Sequence, residues 1–347
     1  REPPPDTTEE RSVKAIRSTD RTWLVAIAAS LWGISSLWRS PLAKQYPSLT
    51  IVFWEHLVLT VLTVGWLVPA VRRLAAASLR TKASVLVIGA GSSALATVMF
   101  TAAFRLGDPI TPQVLQKLQP VVAIALAALL LGERLRPRYL WFAMPALVGA
   151  WLLAFPSPLT ASVSNAQAAL LALGSATLWA AGTVLGRAAS AELKFTDLTA
   201  LRFALGFVTL AITTTVTSTP LAVGTDAAVN ILLLALFPGM LALVLYYRAL
   251  GRTPASRATL AELAFPVTAA VVAVVALGAR PTVTQWIGFA VILVAVVSLA
   301  LHEQRSARPA VAVPVDAREA LGFAAATPAA ATTPASAASP ADRGARS

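Results

Sequence analysis

Six ionisable side chains lie inside long apolar runs of this sequence: Glu55, His56, Lys117, Arg202, Arg248 and Glu262. A charge in hydrocarbon is costly, so each must face protein or water and have a partner. Two of them belong to polar stripes that end in a proline. Gln113, Gln116, Lys117 and Pro120 recur at helical spacing and share one face, and Thr259, Glu262 and Pro266 repeat that stripe later in the chain. A proline has no amide hydrogen, so the helical carbonyl four residues earlier loses its donor. Those carbonyls are Gln116 and Glu262, and a freed carbonyl beside a polar side chain inside a membrane points to a cavity or pathway. Groups of this kind can hold a polar solute or carry a proton. An acid on one run and a base on the next suggest the pairs Glu55–Lys117 and Arg202–Glu262, with the signs exchanged between the two halves of the chain. Such pairs could also serve only as pins between helices. For a proton, Glu262 is the foremost candidate: desolvation in a span favours the neutral acid, and a nearby arginine favours the carboxylate. Glu55, with His56 beside it, is the rival.

The elements that must position these groups are membrane helices. Hydrophobic residues make up 57% of the 347 and charged residues only 13%, about half the charge of an ordinary soluble domain. Residues 1–21 read as a disordered cytoplasmic leader with a PPP run and no secretory signal. Ten apolar segments follow, near 22–38, 48–70, 84–104, 111–131, 138–155, 166–187, 195–218, 228–249, 256–278 and 282–302. Residues 303–347 are an Ala/Pro-rich tail, read as disordered and cytoplasmic.

The stretch Thr111–Gly132 is written a second time as Arg257–Gly278, 146 positions on and without a gap. At that offset Pro120 falls on Pro266, Gly132 on Gly278, Arg134 on Arg280 and Leu153 on Leu299, while Leu31-Trp32 recurs as Leu178-Trp179 at an offset of 147. Each half, 22–155 and 166–302, therefore holds five segments, and an odd number makes the halves enter from opposite sides. With the N-terminus inside, sixteen Lys and Arg flank the segments on the cytoplasmic side and four on the other, Arg39 among the four. The expected fold is all-α and integral to the membrane, with ten transmembrane helices in two inverted five-helix repeats and both termini in the cytoplasm.

Other features take plainer readings. Gly182 and Gly186 form a GxxxG that favours close helix packing. Trp23, Trp38 and Trp66 lie near segment ends as interfacial anchors. Trp32 and Trp179 sit inside their segments at equivalent repeat positions, where they either pack or wall a cavity. Arg248 can snorkel to the headgroups, and Glu133 forms a local pair with its neighbouring arginines. With no cysteine and two histidines, thiol chemistry is excluded and a multi-histidine metal site is disfavoured. No Walker loop, HExxH, GxSxG or Rossmann fingerprint is present, so the sequence calls for no cofactor.

Two halves of five segments, LWG near the start, and LQKLQPVVAIALAALLLGERL leading into the fifth segment resemble the EamA family of the drug/metabolite transporter superfamily, over residues 22–302. The resemblance implies a bacterial inner-membrane carrier with a central cavity opened alternately to each side. It implies export of small polar or amphipathic metabolites such as amino acids. Two positions depart from the family pattern. Ala279 stands where the second repeat usually has the counterpart of Glu133, and Glu55 lies near where an arginine like Arg202 is common. The expected cavity lining is Glu55, Gln113, Gln116, Lys117, Arg202, Glu262, Trp32 and Trp179, with Pro120 and Pro266 distorting their helices. The expected partners are a small-molecule substrate, the lipid bilayer, protons as a candidate coupling ion and a second copy in a candidate homodimer, with no nucleic acid. A membrane enzyme or lipid-handling protein, and an uncoupled facilitator, are the alternatives.

Overall fold

Leucine, alanine and valine fill most of the runs between polar loops, and every polar group within them has to be satisfied internally. Threonine shows how the chain does this. Thr63, Thr97, Thr177, Thr209, Thr213 and Thr214 each donate a hydroxyl to the carbonyl four residues earlier in their own helix, at 2.6–2.8 Å. A threonine-rich run such as Phe195–Val216 can therefore be an apolar-surfaced helix.

The computed structural model describes residues 21–131, 139–155, 157, 162–250 and 261–306. The readings made for the leader, for Glu133 and its arginines, for Thr259 and for the tail beyond Ser306 lie outside the described residues. The helices are α1 (Thr22–Gly33), α2 (Ser36–Gln45), α3 (Ser48–Ala76), α4 (Leu79–Val87), α5 (Ala96–Leu106), α6 (Thr111–Leu115), α7 (Gln119–Leu131), α8 (Leu140–Ala154), α9 (Val163–Ala189), α10 (Phe195–Val216), α11 (Thr225–Leu234), α12 (Ala242–Leu250), α13 (Ala264–Val271) and α14 (Val283–Ser306). No strand occurs among the described residues. Among the described residues, six helical stretches are long and apolar enough to cross a membrane: 48–76, 79–106, 163–186, 195–216, 225–246 and 283–302. Leu140–Ala154 and Ala264–Ala276 are shorter apolar helices. The remaining two expected segments are interrupted: the first breaks between α1 and α2, and the fourth breaks between α6 and α7.

Interruptions fall at repeat-related places. A 3-10 turn, Gln116–Leu118, precedes Pro120, and a turn at Glu262–Leu263 precedes Pro266. A π-helical stretch Ile88–Leu95 joins α4 to α5, and another, Ala235–Leu241, joins α11 to α12. The contacts obey the same exchange. α3 packs on α10, its own counterpart. α9 packs on α5 and α7, as α1 packs on α12 and α13. α8 and α14 cross at Gly149 and Gly288, where a Cβ on Gly288 would stand 2.6 Å from the Gly149 carbonyl oxygen. Gly288→Ala is accordingly expected to cost about 1–3 kcal/mol of stability as an overpacked contact. Thermal unfolding in detergent would show it, and an unchanged midpoint would mean the two backbones can part.

At one end of the α3–α10 pair, the loops are joined by carboxylates. Glu192 accepts the Ser78 amide (2.8 Å), the Ser78 hydroxyl (2.7 Å) and the Thr81 hydroxyl (2.6 Å), and Arg73 pairs with the buried Asp197 at 2.5 Å. At the other end the ties are neutral. Thr50 donates to the Pro220 carbonyl (2.8 Å), Trp54 to that of Leu221 (2.9 Å), and the Gly224 amide donates to the Tyr46 hydroxyl (3.2 Å). Three hydrogen bonds to the charged form hold Glu192 down at about 2, below the ordinary 4.5. Because the folded value is the lower one, the stability the tie contributes is full above about 4.5 and is lost as pH falls from there toward 2. The Glu192 carboxyl resonance followed against pH should titrate near the lower value. A midpoint at 4.5 would show that the three bonds do not persist in solution.

Candidate functional site

The break ahead of each proline sets the site. Loss of the proline amide was expected to leave the Gln116 and Glu262 carbonyls free, and the structure corrects this. Each turn tightens instead, so that Gln119 donates its amide to the Gln116 carbonyl and Phe265 donates to Glu262 (3.1 Å). A three-residue turn takes up the orphaned acceptor, as it does at many helix ends. What the break contributes is side chains turned out of α-helical register.

The two broken segments belong to opposite repeats, and they face each other. The Lys117 ammonium stands over the Phe265 ring, 4.4 Å from its centre, and feels the charge of Glu262. Glu262 accepts a hydrogen bond of 2.6 Å from the Tyr246 hydroxyl. The Tyr246 ring in turn lies against Trp32, with centroids 5.1 Å apart. With the halves exchanged, Trp179 lies against Phe100 at the same separation of 5.1 Å. Phe100 and Tyr246 are 146 positions apart, so the two aromatic pairs are repeat copies. One copy carries a hydroxyl aimed at a carboxylate, and the other carries neither.

Glu55 is held elsewhere. Its two carboxylate oxygens both accept from one Arg39 nitrogen, at 2.9 and 3.0 Å, and a second Arg39 nitrogen donates to Thr101 at 2.6 Å. Arg39 is 5% exposed and Glu55 likewise 5%, and the guanidinium rests 5.8 Å from the centre of the Phe100 ring. The pair Glu55–Lys117 is therefore corrected to Glu55–Arg39, and Lys117 faces Glu262. Arg39 is not an exposed loop residue: it lies on α2, just past the break at Gly33, where the hydropathy signal had already ended. His56 bridges Val52 O and Ser93 Oγ, each at 3.0 Å, through its two ring nitrogens. Its ring presses on α10, where a Cβ at Gly206 would stand 2.8 Å from it. Arg202, also on α10, lies beside Phe203 and within electrostatic reach of His56.

Gln113, Gln116 and Gln119 recur at a spacing of three, and the 3-10 turn Gln116–Leu118 brings Gln119 toward the Gln116 side. Gln113 is fully buried, its Nε2 reaching the Pro109 carbonyl at 3.4 Å. Gln119 donates to Thr183 on α9 at 3.3 Å. Gln119, Thr183, Tyr246 and Arg39 are the residues sequence reasoning missed. The three-residue spacing was legible, and so was the 146 offset linking Phe100 to Tyr246, while nothing local marked Arg39. The GxxxG glycine Gly182 packs closely, since a side chain there would run into Ser92 of the π-helical stretch.

Comparison with known proteins agrees with the doubled architecture. The EamA-like transporter family matches residues 22–155 and again 166–301. A riboflavin transporter, ImpX, of Fusobacterium nucleatum is 29% identical over 260 residues, covering 72% of this chain and 86% of that protein. One solved crystal structure shares the fold, with a TM-score of 0.55 and 20% identity over 83% of this chain and 98% of the other.

Proposed function

Because this chain belongs to the EamA-like transporter family and is a multi-pass membrane protein, we propose that it is a secondary transporter working by alternating access. Its substrate on this reading is a planar, amphipathic metabolite of the flavin kind, in place of the amino acids first expected. The observation that carries the reading is the meeting of the two interrupted segments, where Lys117 stands over Phe265 and Glu262 accepts from Tyr246, whose ring lies against Trp32. Aromatic faces hold a flat ring, and the flanking polar groups suit a hydroxylated tail. The likeness to a protein named as a riboflavin transporter supports the same class. Trp32, Trp179, Gln116, Lys117 and Glu262 line the path in this proposal, and Glu55 with Arg39 braces the wall. Glu262 carries the coupling proton.

The ten expected segments then cross the bilayer of a bacterial inner membrane as an inverted pair of five, both termini inside. Reporters between Ala76 and Leu79 and after His302 should read cytoplasmic, and one placed just ahead of Val163 should read external. A cytoplasmic reading ahead of Val163 would end the inversion. Function is tested in proteoliposomes of both orientations, with labelled riboflavin and a panel of amino acids, with and without a pH gradient. Saturable riboflavin counterflow supports the reading. Counterflow of an amino acid without riboflavin would overturn the substrate class.

A further inference from the structure

We propose that the glutamines of the broken fourth segment, with Thr183, read the imide edge of a flat heteroaromatic substrate whose ring lies against Trp179. The inference rests on the flavin-class reading above and assigns the residues that recognise the ring.

Gln119 is the reader. Its Nε2 donates to Thr183 Oγ1 at 3.3 Å, and the Thr183 hydroxyl is itself oriented by donating to the Trp179 carbonyl at 3.0 Å. This chain of bonds fixes which way the Gln119 amide turns. Its carbonyl oxygen is presented as an acceptor for an incoming N–H, and its second N–H as a donor for a neighbouring carbonyl. An imide offers that complement, an N–H between two carbonyl oxygens, and a primary amide pairs with it through two parallel hydrogen bonds.

The surroundings favour a ligand over a structural role. Gln116 and Gln119 are half-buried and Thr183 is exposed, and polar groups at membrane depth face protein or water rather than lipid. Gln113 is fully buried with an Oε1 that has no hydrogen-bond partner among the described residues, so the glutamines offer more acceptors than the protein itself uses. The ring contact is supplied by Trp179, held edge-on by Phe100 at 5.1 Å. The repeat copy of this place is chemically different. Glu262 stands where Gln116 does, and Tyr246 where Phe100 does. The glutamine at this place thus recognises the ring edge, and the glutamate at the repeat-related place is left to the proton.

The test uses the full chain in nanodiscs and the fluorescence of two probes, riboflavin and its N3-methyl derivative, which lacks the imide hydrogen. The parent should bind riboflavin about tenfold more tightly than the methyl compound, the size of one good hydrogen bond. Gln119→Met should weaken riboflavin about tenfold more than it weakens the methyl compound and so bring the ratio to about one. Gln119→Glu keeps an acceptor oxygen at the same reach and should retain the preference. A parent ratio near one overturns the inference even if the methionine variant fails to fold. An undiminished ratio in Gln119→Met overturns it too, and both results leave the flavin-class reading standing. If the parent binds neither probe, that reading fails and takes the inference with it.

Discussion

Replacing Arg39 by alanine should lower stability by about 3–5 kcal/mol, the cost of breaking a buried ion pair from one side. The Glu55 carboxylate would keep its buried position with both oxygens stripped of their Arg39 donor. Thr101 would lose its charged donor at the same time. Charge is what makes the loss large: a neutral buried acceptor left alone costs about 1–3 kcal/mol. Glu55→Gln should therefore do less harm than Arg39→Ala, although it leaves the guanidinium without its counter-charge. The double replacement Arg39→Leu with Glu55→Leu removes both charges and should recover a good part of the stability, since an apolar pair of similar volume needs no desolvation. Thermal unfolding of the four proteins in one detergent measures this. If Arg39→Ala unfolds with the parent, the pair is hydrated in the membrane and does not brace the wall.

That pair also shows where reading the sequence stops. The doubling at 146–147 residues was legible, and with it the matched placement of the prolines, of Trp32 and Trp179, and of the helix breaks ahead of Pro120 and Pro266. Arg39 was not legible. It follows Trp38 at the end of an apolar run, and hydropathy alone cannot tell a loop arginine from one that turns inward sixteen residues ahead of its acid. An α-helical wheel placed Gln113, Gln116, Lys117 and Pro120 on one face. A single 3-10 turn was enough to bring Gln119 toward the Gln116 side and to send Lys117 toward Glu262. The same local tightening explains why the carbonyls expected to be free are bonded. Proline removes a donor, and the backbone finds another within three residues before any solute is needed. Periodicity carries the positions of elements and their doubling, while the register inside a broken helix is decided by tertiary contacts.

Glu262→Gln should separate the two halves of the transport reaction: substrate exchange persists, and net flux no longer follows the pH gradient. The reason lies in what surrounds the carboxylate. Tyr246 donates to it at 2.6 Å, and the Lys117 ammonium acts on it from the opposing broken segment. Lys117 and Glu262 belong to different repeats, so any rearrangement that parts the broken segments takes the ammonium away from the carboxylate. On the proposed reading, that change of surroundings is what couples Glu262 to the proton. Glutamine keeps the shape and can still accept from Tyr246, so the substrate path stays intact while the proton has no carrier. The variant also leaves Lys117 without its counter-charge, and a monodisperse elution profile is the check that the fold survives this. Exchange and gradient-driven flux are then measured in the same proteoliposomes. Flux that still follows the gradient would remove Glu262 from the role, and loss of both activities in a folded variant would make it a binding residue instead.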